Sequence, residues 1–288
     1  MKILLTGACG VLGRGVRRVA GDAHRFVLFD QAPEVEQADG GIRATITDRD
    51  AIRRAAEGCD AIIHLAAMHG AFFGKTSDAE FITTNVVGAA HLFEAAMQFQ
   101  IPRVVMASTM EVLIGRNWGG YGTTVLDETL PPRPDWIYPV TKFQVETLGH
   151  LYAQKHGLQV VQLRYMAFDD VPFEKLGLAL LSRYLSVEDT ARATLLAATK
   201  PGLRDDVFHI GPDTPLVQSD LNDAMHDPGM VLERYWPGCG EVLRRANLVP
   251  EFSHFWPVTR IEHAWRVLGW QPQDTFEKFL HQLGWRRE

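Results

Sequence analysis

A tyrosine and a lysine four residues apart, Tyr138 and Lys142 in the run YPVTK, form the pair with the clearest catalytic potential. If Tyr138 begins a helix, both side chains lie on one face of it. A tyrosine hydroxyl, with a pKa of about 10, is a poor base at neutral pH, and a nearby ammonium group favours its phenolate form. We therefore expect Lys142 to lower the pKa of Tyr138, which then takes a proton from a substrate hydroxyl. Because this spacing is common on solvated helix faces, its meaning depends on the motifs that precede it.

Two hydroxyl side chains, Ser108 and Thr109, lie where the strand predicted over residues 103–108 ends. Ligands of parallel α/β sheets bind at this edge. A hydroxyl at this edge is placed to hold the reacting oxygen beside Tyr138. The alternative interpretation is that both residues only cap the strand.

A glycine-rich turn, TGACGVLG, occupies residues 6–13. Gly7 allows the tight turn after a strand, Gly10 lets the backbone approach a pyrophosphate, and Gly13 lets the helix pack closely on the sheet. The helix that begins there offers free N–H groups to phosphates. Asp30 closes the next strand, where a carboxylate accepts hydrogen bonds from ribose hydroxyls and repels a 2′-phosphate. No arginine adjoins Asp30, so the pattern favours NAD over NADP.

Strands and helices that follow one another in the sequence position these residues. Short β-rich runs and helical patterns alternate through the first two-thirds of the chain. Fully apolar strands between helices predict an α/β fold with a doubly wound parallel sheet, the Rossmann fold. We expect an NAD-binding domain over residues 1–165, joined again by 186–212. Residues 166–185 and 213–288 are expected to form a small C-terminal substrate-binding cap.

Composition limits the classes of function open to the chain. The 288 residues are 46% hydrophobic with a net charge of −6, and no basic block indicates a nucleic-acid partner. The widely spaced Cys9, Cys59 and Cys239 form no CxxC pair, and no paired histidines suggest a metal site. No apolar run reaches the length of a membrane span. We expect a cytoplasmic protein without a metal or a membrane partner.

Taken in order, these motifs resemble the extended short-chain dehydrogenase/reductase family, the NAD-dependent epimerase/dehydratase group. The resemblance covers nearly the whole chain and rests on TGACGVLG at 6–13, HLAA at 64–67, NVVG at 85–88, ASTMEV at 107–112, YPVTK at 138–142, LRY at 163–165 and LGWQP at 268–272. It implies the catalytic residues Thr109, Tyr138 and Lys142, with Ser108 as the neighbour of Thr109 and Asn85 as a structural and relay residue.

The resemblance also implies a cofactor site and a subunit arrangement. The residues expected to bind NAD are Gly7, Cys9, Gly10, Val11, Leu12, Gly13, Asp30, Thr45, Ile46, Leu65, Ala66, Ala67, Ala107, Tyr138, Lys142 and Tyr165. Thr45 stands where many members carry an acid that contacts the adenine amine. Helices at 85–98 and 138–155 are expected to pair in a homodimer.

The substrate is less well marked than the cofactor. Candidates are His69, Ser108, Thr109, Glu111, Ala167 and Phe168, and Trp118, Tyr121 and Trp136 are loop aromatics that could stack on a sugar. His69 and Glu111 are equally consistent with a packed histidine and a turn carboxylate. Met166-Ala167 lacks the Asn that sugar-nucleotide epimerases carry here, and the cap is short, which argues against a large nucleotide sugar.

These features predict an NAD-dependent oxidoreductase that acts on a hydroxyl or keto carbon of a small, carbohydrate-like molecule. One alternative is an epimerase or dehydratase that holds NAD tightly and returns the hydride to its substrate. Another is a catalytically silent NAD-binding protein. Retention of both Tyr138 and Lys142 argues against this last alternative.

Overall fold

The centre of the protein is a parallel β-sheet with helices on both faces. The computed structural model describes residues 1–38, 40–115 and 122–287. The strands are β1 Lys2–Thr6, β2 Arg25–Asp30, β3 Ile42–Arg43, β4 Ala61–His64, β5 Arg103–Thr109, β6 Gln159–Tyr165, β7 Ala167–Asp169, β8 Tyr184–Ser186 and β9 Asp206–Ile210.

The α-helices connect these strands and build the C-terminal region. They are α1 Val11–Ala20, α2 Arg49–Ala56, α3 Asp78–Phe81, α4 Gly88–Gln98, α5 Glu111–Ile114, α6 Ile137–His156, α7 Phe173–Leu176, α8 Val187–Thr199, α9 Gln218–Ala224, α10 Pro228–Tyr235, α11 Cys239–Arg245 and α12 Phe276–Gln282. None of the helices in the described ranges is both long and apolar enough to cross a membrane.

Seven strands form the main sheet in the order β3-β2-β1-β4-β5-β6-β9, and every neighbouring pair is parallel. The chain moves outward from β1 to β3, then returns to β4 on the other side of β1. The carboxyl ends of β1 and β4 therefore diverge into helices on opposite faces, which opens a crevice between them. The predicted doubly wound Rossmann fold is confirmed.

The apolar strands owe their composition to burial on both faces. Ile3 and Leu5 face one apolar layer, in which α1 and α8 pack, whereas Leu4 faces the other, in which α2 and α4 pack. Because side chains alternate across a strand, both faces need apolar residues when both are covered. The strands thus hold the site residues on a rigid support.

The C-terminal region has its own apolar cluster, formed by side chains between Leu176 and Trp285. A small parallel sheet of β7 and β8 lies in the segment that leads into this cluster. The aromatic rings of Trp236 and Phe276 meet edge to face with centroids 5.0 Å apart. This region contains most of the short helices that follow β9.

One helical prediction needs refinement. The helix expected over residues 85–98 forms as α4, but its first residues belong to a π-helical turn, Ile82–Val87, that joins α3 to α4. A second π-helical turn lies at Ala264–Leu268. Such turns widen a helix locally and are frequent at functional sites.

Candidate active site

A cleft of about 820 Å³ opens at the carboxyl edge of the sheet, beside the divergence of β1 and β4. All the residues predicted from sequence to bind NAD line it, as do all six substrate candidates. The predicted catalytic residues Ser108, Thr109, Tyr138 and Lys142 are in the same lining, whereas Asn85 is not. The cleft therefore brings together motifs that lie far apart in the sequence.

The glycine turn is shaped by close contacts that exclude side chains. Gly7 has φ +72°, and a Cβ there would lie 2.7 Å from the backbone nitrogen of Ala66. A Cβ on Gly13 would lie 2.3 Å from the carbonyl oxygen of Gly7. Gly10 is the N-cap of α1 and borders the cleft. The turn thus leaves backbone and helix N–H groups open to a pyrophosphate, as the site of a dinucleotide requires.

Asp30 is held at the wall of the cleft by the glycine turn itself. Its Oδ2 accepts a hydrogen bond from the backbone N–H of Cys9 at 2.9 Å, and its Oδ1 accepts one from Ala32 at 3.0 Å. Each carboxylate oxygen can accept a further hydrogen bond. The carboxylate is therefore oriented for ribose hydroxyls, and the residues present fit NAD.

Thr45, which stands where an adenine contact was expected, and its neighbour Ile46 both line the cleft. β3 ends at Arg43, so Thr45 and Ile46 stand in the following turn. The Thr45 hydroxyl lies 3.1 Å from that of Thr47, and Ile46 is buried against α4. Ile46 and Phe29 supply apolar surface to the cleft here.

Tyr138 lies in the first turn of α6, and Lys142 follows one turn later on the same face. Lys142 is buried, and its Nζ donates a hydrogen bond to the carbonyl oxygen of Ala107 at 2.8 Å. The Nζ also lies 5.8 Å from the centroid of the Tyr138 ring. Tyr138 forms a side-chain hydrogen bond with Thr109. The structure therefore brings the three predicted catalytic groups together.

The predicted effect of Lys142 on Tyr138 is not found in this structure. Burial raises the pKa of the Tyr138 hydroxyl, and the Glu111 carboxylate raises it further, while the hydrogen bond with Thr109 opposes them. Burial also lowers the pKa of Lys142 to about 8, against the opposing effect of Glu146. The expectation of a lowered tyrosine pKa omitted the cost of placing a phenolate in a buried site beside a carboxylate.

Ser108 and Thr109 are separated by the alternation of the strand. The Ser108 hydroxyl donates to Glu146 Oε1 at 2.5 Å, deep beside α6. The Thr109 hydroxyl oxygen accepts a hydrogen bond from the backbone N–H of Glu111 and is the hydroxyl bonded to Tyr138. Although both residues border the cleft, only Thr109 is directed to the reacting tyrosine.

Asn85 lies behind the cleft, in the π-helical turn. Its Oδ1 accepts a hydrogen bond from the N–H of Met68 at 2.7 Å, and its Nδ2 donates to the Met68 carbonyl and the Thr141 hydroxyl, both at 2.9 Å. It thus fastens the loop after β4 to the catalytic helix. This arrangement agrees with a structural role.

His69 and Glu111 line the cleft near Tyr138, and Trp136, which is outside the lining, packs behind Glu111 and Tyr138. Trp136 Nε1 donates to Glu111 Oε2 at 2.9 Å, and the Trp136 and Tyr138 rings have centroids 5.5 Å apart. Burial and the charge of Lys142 lower the pKa of His69, which favours its neutral form. Trp118 and Tyr121 lie outside the described residues.

Several residues in and around the site were not predicted from the sequence. Glu146 does not line the cleft, but it is the most informative of them, because it contacts Ser108 and it follows Lys142 by the same four-residue spacing that joins Lys142 to Tyr138. That periodicity was a usable signal. The unpredicted residues that line the cleft are Phe29, Gln31, Ala32, Ala44, Met68, Gly70, Phe72, Thr84, Met110, Ile114, Met166 and Asp169.

Comparison with known proteins relates this geometry to enzymes. A uronate dehydrogenase of Pseudomonas syringae pv. tomato is 27% identical over 224 residues, covering 76% of this chain and 77% of that protein. An L-arabinose 1-dehydrogenase (NAD(P)(+)) of Haloferax volcanii is 32% identical over 236 residues, covering 75% of this chain and 85% of that protein. A solved short-chain dehydrogenase/reductase superfamily protein of Agrobacterium tumefaciens with bound NAD shares the fold, with a TM-score of 0.73, 18% identity, and coverage of 98% of this chain and 96% of that one.

A family match covers more than half of the sequence. Residues 3–168, which include the glycine turn, Asp30, Thr109, Tyr138 and Lys142, match the family described as NAD dependent epimerase/dehydratase. The predicted enzyme class and the predicted cofactor are therefore confirmed. The chain belongs to the NAD dependent epimerase/dehydratase family and is an enzyme whose cofactor is NAD.

Proposed function

We propose that this enzyme is a dehydrogenase that oxidises a hydroxyl-bearing carbon of a small carbohydrate and releases NADH. The observation that carries the proposal is the meeting of Thr109, Tyr138 and Lys142 in the lining of the NAD cleft. Two relatives that the chain matches over about three quarters of its length, a uronate dehydrogenase and an L-arabinose 1-dehydrogenase, support this class of substrate.

In this mechanism the chain orients the substrate and moves one proton, while NAD, when bound, accepts a hydride. Thr109 holds the substrate oxygen beside Tyr138. Tyr138 accepts the substrate proton in its phenolate form, which the positive charge of Lys142 favours against the effect of burial. Lys142, whose Nζ donates to the carbonyl of Ala107, would also hold the nicotinamide ribose of NAD.

A small substrate suits the form of the cleft. One cleft of about 820 Å³ has to hold both the cofactor and the substrate. Met166 and Ala167 offer no side-chain amide to a diphosphate, and both line the cleft. His69, Glu111 and Phe168 present polar and aromatic groups of the kind that bind sugar hydroxyls and sugar faces.

The two segments of the proposed substrate-binding cap would have different roles. Ala167, Phe168 and Asp169 line the cleft directly, so we place them on the substrate side. Tyr184 and Phe173 continue from this segment into the C-terminal apolar cluster. In this view residues 166–185 form a wall of the site and residues 213–288 support it from behind.

We further propose that the enzyme is a cytoplasmic homodimer. Ile82 and Val87 on the turn before α4, and Phe143 and Leu151 on α6, are apolar and at least 37% exposed. These two elements are neighbours in the structure, so an apolar surface of this kind is suited to a second subunit. The free thiols of Cys9, Cys59 and Cys239 are consistent with a reducing compartment.

A substrate panel tests the function directly. Uronates, aldoses and polyols are incubated with NAD⁺, and net NADH is followed by its absorbance. We expect stoichiometric NADH from at least one compound, and Tyr138→Phe should lower kcat by about 10³-fold because the proton acceptor is lost. Product formed without net NADH would instead assign the enzyme to internal redox, as in an epimerase or dehydratase. Full turnover by Tyr138→Phe would refute the mechanism.

A further inference from the structure

A buried carboxylate one helical turn beyond Lys142 takes no part in the proton transfer described above. Glu146 Oε1 accepts hydrogen bonds from the Ser108 hydroxyl at 2.5 Å and from Arg164 Nε at 2.9 Å, and its Oε2 accepts one from Arg164 Nη2 at 2.7 Å. All three side chains are about 5% exposed. The carboxylate of Glu146 is therefore fixed in place by donors from two other side chains.

These contacts tie the catalytic helix to two neighbouring strands at one point. Ser108 on β5 and Arg164 on β6 are paired in register across the sheet, and Glu146 reaches both from α6. Lys142 contacts the carbonyl of Ala107, the residue next to Ser108. The hydrogen bonds of Glu146 therefore fix the position and rotation of α6 relative to the sheet at the point where Lys142 enters the cleft.

Glu146 also supplies negative charge to Lys142. The other titratable side chains around the ammonium are Tyr138 on the same helix, His64 on β4 and His69 in the following loop. Burial and the charge of Lys142 lower the pKa of both histidines, that of His64 to about 3, which favours their neutral forms. The charge of Glu146 raises the pKa of Lys142, whereas burial lowers it.

We propose that Glu146 is a positioning residue, which keeps Lys142 charged and aimed at the cofactor and holds the Ser108 hydroxyl away from the substrate. This inference rests on the proposed function, because it assigns to Lys142 the work of binding ribose and assisting Tyr138. Glu146 acts through Lys142 and Ser108 and touches neither the cofactor nor the reacting atoms.

The test is Glu146→Gln, which keeps an acceptor for Ser108 and removes the charge. In the cofactor-free protein, lysines carrying ¹³C-methyl groups are titrated by NMR, and Lys142→Arg assigns the Lys142 signal. We expect its midpoint to fall by about one pH unit, as for loss of a nearby opposite charge. The alkaline limb of the kcat profile should move down with it, because Lys142 then loses its proton at lower pH. Glu94→Gln, which removes an exposed carboxylate on α4, should leave both unchanged.

The readouts separate failure of this inference from failure of the proposed function. If no sugar yields NADH, the NMR midpoint still tests Glu146. If Glu146→Gln unfolds because Arg164 is left unpaired, the double variant Glu146→Gln/Arg164→Met removes both charges and should show the same shift. The proposal would be overturned if a folded variant kept the wild-type titration midpoint of Lys142 and the wild-type alkaline limb of the kcat profile. Glu146 would then have only a structural role.

Discussion

At the scale of single residues, the most specific result is the separation of two adjacent hydroxyls. Ser108 donates to buried Glu146, whereas Thr109 is bonded to Tyr138. A hydroxyl that already donates to a carboxylate has little freedom to reorient toward a substrate. The two residues should therefore respond differently to the same substitution.

We expect Thr109→Ala to lower kcat by about 10²-fold, because it removes the group that orients the substrate oxygen and bonds Tyr138. Ser108→Ala should act mainly on stability, lowering the free energy of unfolding by about 1 kcal/mol through loss of a buried hydrogen bond. Steady-state kinetics and urea unfolding of both variants measure these effects. A larger loss of kcat in Ser108→Ala than in Thr109→Ala would reverse the assignment.

At the scale of elements, the π-helical turn Ile82–Val87 shows how a local irregularity supports the site. The turn carries Asn85, whose amide bonds both backbone groups of Met68 and also the Thr141 hydroxyl. A buried side chain with three such bonds joins the loop after β4 to α6. The loop borders the cleft through residues 65–70.

Asn85→Ala should leave the N–H and carbonyl of Met68 without their partner and loosen this loop. We expect the free energy of unfolding to fall by about 1–3 kcal/mol, the cost of unpaired buried polar groups, and NAD binding to weaken. Urea unfolding and calorimetric titration with NAD⁺ measure the two effects. Thr83→Ala, at an exposed position of the same turn, is the matched control and should change neither.

The sequence predicted the main elements well and their irregularities poorly. The parallel sheet was predicted, because its central strands are buried on both faces, are largely apolar and alternate with helices. The π-helical turn was missed, since it is stabilised by Met68 and Thr141, which are distant from Asn85 in the sequence. Similarly, Tyr138 and Lys142 were predicted from their motif, but the partners of Glu146 come from two different strands.

At the scale of the whole molecule, the proposed second subunit links assembly to the catalytic helix. The proposed dimer surface includes Phe143 and Leu151, which are exposed on α6, whereas Lys142 and Glu146 of the same helix are buried. A dimer formed there would cover the exposed part of the helix that carries the catalytic groups. Assembly and activity would then depend on one helix.

We expect the double variant Phe143→Glu/Leu151→Glu to be monomeric by light scattering coupled to gel filtration, because two charges would be buried in the subunit contact. Val249→Glu introduces a charge at an apolar residue of the C-terminal region that is 72% exposed, and it should keep the wild-type mass. A wild-type protein that is already monomeric at micromolar concentration would contradict the dimer.

The bond between Asp30 and the N–H of Cys9 has a consequence for cofactor engineering. A common way to convert such a site to NADP is to replace the acid, so that the 2′-phosphate is no longer repelled. Here the same carboxylate also fixes the glycine turn, because its two oxygens accept from Cys9 and Ala32. Replacing Asp30 alone would change the charge and release the turn together. A redesign for NADP therefore has to supply a new acceptor for the Cys9 N–H as well as a cation for the phosphate.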